Sequence, residues 1–82
     1  MNAKKPEPTA AATYAARRND IARLLDVLQM ELDRHATDAQ AKPGDWGFAG
    51  SLGHVRTGLI DLVAFMSNQD PEGVETFLND AE

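Results

Sequence analysis

The residue types best suited to chemistry in this chain are its two histidines, His35 and His54. Asp38 and Asp45 lie close to them in sequence. Imidazole with carboxylate is a legitimate ligand set for a transition metal. The spacing does not support one, because neither an HxxxH nor an ExxH pattern occurs and isolated ligand-type residues carry little weight. A metal site would have to be built from His35, His54 and Asp38. The structural reading is stronger: His35 packs as a half-buried polar residue on a helix face, and His54 is exposed near a helix start. Neither a metal nor another cofactor is expected. Ser51 near His54 resembles a nucleophile beside a base. A serine at a helix start is more often a cap, and no third residue is placed to orient the imidazole. The glycines around it lack the Gly-Lys-Ser/Thr ending of a phosphate loop. Amides at a helix start could hold an anion, but Asp45 and the acidic balance work against that. The chain is therefore not expected to be an enzyme.

The elements that carry these residues are helical. Residues 1–8 are rich in Pro, Lys and Glu and lack large apolar groups, which predicts a disordered tail. Thr9 fits an N-cap before a run of alanines that favour helix, with Thr13 as the alternative start. From there Tyr14, Ile21, Leu28 and His35 form one row. Arg18, Leu25, Leu32 and Ala39 form a second row, four residues on. This is an amphipathic helix over about 10–40, closed by Pro43. Lys42-Pro43-Gly44-Asp45 suits a type II turn. A second helix over about 52–68 is expected, with Ser51 as its cap. Its stripe is Leu52, Val55, Leu59, Leu62 and Met66, widened by Ile60, Val63 and Phe65. It is apolar on more than one side and so calls for more than one neighbour. Gly58 inside it costs about 1 kcal/mol relative to alanine, which the close approach of another helix would explain. A short third helix over about 71–80 opens on Asp70, Pro71 and Glu72. It contributes Val74, Phe77 and Leu78.

Between the first two helices glycine recurs at every third position, at Gly44, Gly47, Gly50 and Gly53, around the chain's single tryptophan. Glycine permits positive φ and close backbone approach. Large aromatics such as Trp46 and Phe48 gain most from burial. Residues 43–50 are therefore expected to form an ordered corner with Trp46 plugged into the end of a bundle. Truncating a buried aromatic costs on the order of 3 kcal/mol. Trp46 and Phe48 are also the natural hot spots if that plug meets a partner, together with Leu59, Leu62 and Met66 of the second helix.

Charge bears on assembly. Lys4, Lys5, Arg17, Arg18 and Arg23 make the first part of the chain basic, whereas the remainder is strongly acidic. An antiparallel pairing of the first two helices sets the arginines near Asp61, Asp70, Glu72 and Glu75. Two helices cannot enclose a core, so a third surface is needed. The third helix folded back would give a three-helix monomer, and a second hairpin would give a four-helix bundle. The apolar breadth of the second helix favours the homodimer.

Eighty-two residues make a single small domain whose core is limited. The absence of cysteine removes disulfides and thiolate sites, and it points toward a reducing cytoplasm. The opening lysines have no apolar segment behind them, so they do not read as a signal peptide. No apolar run reaches membrane-spanning length, and no membrane association is expected. The expectation is thus a non-catalytic, all-α, cytoplasmic protein working through self-association and contact with another protein, as yet unidentified. The alternatives are a nucleic-acid-associated regulator using the arginines of the first helix, and a helical bundle binding a metal or small ligand at the histidines. The net charge of −5 disfavours the former. No appreciable binding of a mixed RNA and DNA pool is expected by fluorescence anisotropy at about 0.15 M salt. Submicromolar binding abolished by Arg17→Ala with Arg18→Ala would reverse that expectation.

Overall fold

A computed structural model describes residues 9–81 of the chain. These are helical, with no strand among them. The three helices are α1 (Ala10–Ala41), α2 (Trp46–Ser67) and α3 (Pro71–Ala81). The expected tail, 1–8, lies outside the described residues. The chain divides after Ala41 into two units, one carrying α1 and the other α2 with α3.

The start of α1 follows from Thr9. Its hydroxyl accepts from the Ala12 N–H at 3.0 Å, and its carbonyl accepts from the Thr13 N–H at 3.0 Å. The first bond satisfies one of the donors that every helix start leaves unmatched, and the second is the first regular bond of the helix, so Thr13 falls inside it. Alanines at positions 10–12, 15 and 16 then propagate it at minimal cost in side-chain entropy. The helix runs 32 residues, about 48 Å at 1.5 Å per residue, and stops before Pro43. None of its residues is buried.

The link to α2 is shorter than expected. The Asp45 N–H donates to the Lys42 carbonyl at 3.0 Å, closing a four-residue turn around Pro43 and Gly44. No glycine among the described residues has positive φ. The turn is therefore of type I and not the expected type II, which needs positive φ at Gly44. Asp45, not Ser51, caps α2. Its extended backbone (φ −90°, ψ 105°) points the carboxylate back at the Gly47 N–H, 2.8 Å away. A carboxylate there also meets the positive end of the helix dipole. The residues expected as a corner over 43–50 become turn and helix. Gly47, Gly50 and Gly53 lie within α2, and Ser51 donates its hydroxyl to the Gly47 carbonyl one turn back at 3.0 Å.

α2 ends at Asn68, which takes the left-handed conformation (φ 58°, ψ 35°). The N–H groups of Asn68 and Gln69 both turn to the Ala64 carbonyl, the latter at 3.0 Å. This is a Schellman-type stop, with asparagine in the place usually held by glycine. The Asp70 carbonyl then accepts from Gly73 and Val74 at 2.9 and 3.3 Å, which opens α3 with Pro71 in its first position. α3 packs back on α2. Ile60, Ala64 and Val74 are the buried hydrophobics, and Leu78 packs against them. Arg56 of α2 and Glu75 of α3 form an ion pair at 3.8 Å. Glu75, one of the acids expected near the arginines of the first helix, pairs with Arg56 within its own unit.

The face of α2 that α3 covers is thus the Ile60–Ala64 edge, one helical turn long. Leu62 and Met66, expected on the core stripe, are 61% and 77% exposed. A Cβ added at Gly58 would meet nothing within 4 Å among the described residues, so no close approach within the α2–α3 unit explains that glycine. No helix among the described residues is long and apolar enough to cross a membrane. Gly58→Ala is accordingly expected to stabilise the protein by about 0.5–1 kcal/mol in urea unfolding. A loss of stability would reveal another molecule's backbone packed against Gly58.

Candidate interaction surface

The side chains that could bind a partner are set by how little of each helix is covered. On α1 the row containing Tyr14 and Ile21, with its neighbours Leu24 and Leu25, is exposed. Leu28, Leu32, His35 and Ala39 continue the same stripe half-buried. On the second unit, α3 occupies one edge of α2 and leaves the rest open. Leu62, Val63, Phe65 and Met66 remain exposed there, as does Phe77 of α3. Phe48 and Leu59 are half-buried.

Trp46 behaves differently from its expectation as a bundle plug. It is the first residue of α2 and is 85% exposed. The cause is the cap. Because Asp45 starts the helix, Trp46 occupies the first helical position, beyond the stretch of α2 that α3 covers.

The polar candidates are divided between the two units. His35 lies half-buried on α1, and Asp38 follows exposed nearly one turn later on the same helix. His54 is exposed on α2. Among the described residues no group of three or more His, Cys, Asp or Glu side chains gathers as a metal ion would require. Arg34 donates to Glu31 three residues earlier, through Nε at 3.0 Å and also through its Nη2. This hydrogen bond raises the guanidinium pKa above its ordinary value, reinforced by the attraction of the same carboxylate. Exposed pairs of this kind contribute little to stability. Arg17, Arg18 and Arg23 fan around α1. At about 100° per residue, Arg18 and Arg23 sit roughly 100° and 240° round from Arg17, and the three do not form one basic face.

Phe65 and Phe77 deserve more weight as surface groups than the sequence pattern assigned to them. Their exposure follows from which edge of α2 receives α3, and no periodicity in either helix encodes that choice. No protein-family model matches the chain, and neither the curated proteins nor the solved structures give a significant match.

The geometry at the start of α2 separates two roles. Asp45→Ala removes the cap and is expected to cost about 1 kcal/mol in thermal or urea unfolding. Trp46→Ala removes an exposed side chain and is expected to cost under about 0.5 kcal/mol at micromolar concentration or below. The opposite order would show that the indole is covered by another molecule.

Proposed function

We propose that this is a non-catalytic helical protein that works by association, with a second copy of itself and through that assembly with another protein. One observation carries the reading: large apolar side chains lie exposed on all three helices, whereas among the described residues the buried hydrophobics are only Ile60, Ala64 and Val74. Contiguous exposed apolar surface on a small protein marks an interaction site. In the arrangement we favour, α1 and α2 pair antiparallel and two such pairs close a four-helix bundle. That closure buries Ile21 and Leu25 of α1 with Leu59, Leu62 and Met66 of α2. Trp46 and Phe48 then lie at the bundle end, where a further partner would find them. The absence of cysteine is in keeping with a cytoplasmic setting for such an assembly.

Sedimentation equilibrium at micromolar concentration tests this. The expected mass is twice the 8.9 kDa of one chain. A monomer with a single cooperative melt would overturn the reading.

A further inference from the structure

We propose that α1 associates with α1 of a second copy as an antiparallel pair in one defined register. In that register the residue numbers facing each other across the pair add to 53. This rests on the self-association reading above and makes it specific.

The period of α1 is the first ground. Its stripe advances by alternating steps of four and three, from Tyr14 through Ile21 and Leu28 to His35, with Arg18, Leu25 and Leu32 between them and Ala39 at the end. A strict seven-residue repeat over four cycles is the signature of a helix that packs along another helix, not one that lies on a globular surface. No residue of this helix is buried.

Charge complementarity fixes the orientation. The first half of α1 carries Arg17, Arg18 and Arg23 against Asp20, and the second half carries Asp26, Glu31, Asp33 and Asp38 against Arg34, so the first half is net basic and the second net acidic. A parallel pair would set like charges side by side and place Arg18 against Arg18 within the seam. An antiparallel pair opposes the basic half to the acidic half. It brings Arg17 of each copy beside Asp38 of the other, on the flank of the seam.

The seam residues fix the register. With facing numbers adding to 53, Leu25 meets Leu28 and Ile21 meets Leu32 at the centre. Farther out, Arg18 lies across from His35, and its stem can cover the imidazole while the guanidinium stays in water. At the ends the largest seam residue, Tyr14, faces the smallest, Ala39. Large against small is how facing layers interdigitate. A shift by one repeat sets Arg18 against Leu28 in one direction and His35 against Leu25 in the other, so only the sum of 53 keeps both polar seam residues off the leucines. The flank opposite Arg17 and Asp38 carries Ala15, Ala22 and Ala36 with Gln29, so three of its four residues are small enough for the helices to approach closely.

The chain has no cysteine, so single cysteines can be introduced for spin labels on the outward face of α1. Ala16→Cys, Arg23→Cys, Met30→Cys and Thr37→Cys lie on the side away from the seam. Helicity of each is checked by circular dichroism. Dipolar distances between the two copies are then measured in the full chain. The register predicts equal, long distances at 16 and 37, with an axial offset of about 32 Å, and equal, short distances at 23 and 30, with an offset of about 10 Å. A charge exchange supplies the second readout. Arg17→Glu should weaken the dimer about tenfold, and adding Asp38→Arg should restore it, since two flank pairs are changed per dimer. Four equal distances would mean a parallel pair. Unequal distances at 23 and 30 would mean another register, and distances fitting neither pattern would mean that the two copies of α1 do not lie side by side. Each of these overturns the inference while leaving self-association intact. A monomer by sedimentation overturns both.

Discussion

The carbonyl of Ala64 accepts two N–H groups from beyond its own helix, those of Asn68 and Gln69. That arrangement is possible only because Asn68 turns left-handed, a conformation asparagine tolerates where most residues would strain. The reversal aims the chain back along α2 within three residues. Pro71 fixes the first backbone angle of α3, and Val74 and Leu78 fall onto Ile60 and Ala64. Ala64 thus serves twice. Its backbone anchors the stop, and its methyl group leaves room for Val74. A larger side chain at 64 would push α3 away even with the turn intact.

The same reversal limits what can be covered. α3 has 11 residues and one strongly apolar edge. It can shield one side of α2, and α2 is apolar on more sides than one. Whichever edge α3 takes, another remains for a different surface. The choice of the Ile60–Ala64 edge follows from the length of the link. Three residues after Ser67 do not carry the chain round to the Leu62–Met66 side.

Much of this architecture is legible in the sequence, and the parts that are not share a cause. The limits of α1 can be read because Thr9 and Pro43 act locally, through a hydroxyl at one end and a ring clash at the other. The same holds for Pro71 and Glu72 at the start of α3. The start of α2 misleads because glycine at every third position suggests a turn. Three of those glycines are nonetheless helical, since the Asp45 carboxylate satisfies the helix start and the residues after it propagate the helix. A glycine costs only about 1 kcal/mol in a helix and does not forbid one. Once Asp45 is seen as the cap, the position of Trp46 outside the covered region follows. Which edge of α2 is covered is a tertiary outcome of loop length, and hydrophobic periodicity does not contain it. The histidines lie on separate helices, and their grouping was never a matter of local pattern.

Exposed apolar helices carry a problem of selectivity, because any amphipathic helix could cover them. Area alone does not choose among partners. The unequal charge along α1 does, since it penalises one orientation through like-charge contact more than it rewards the other. Surface ion pairs add little affinity, so Arg17 and Asp38 matter as direction-setting groups. In the proposed pair the central leucines and Ile21 supply the driving force through burial, and the ends of the stripe set alignment. Polar groups within an apolar stripe, such as Arg18 and His35, weaken the contact locally while excluding registers that would set them against leucine. Pairing of the proposed kind would give up some stability for a single mode of association.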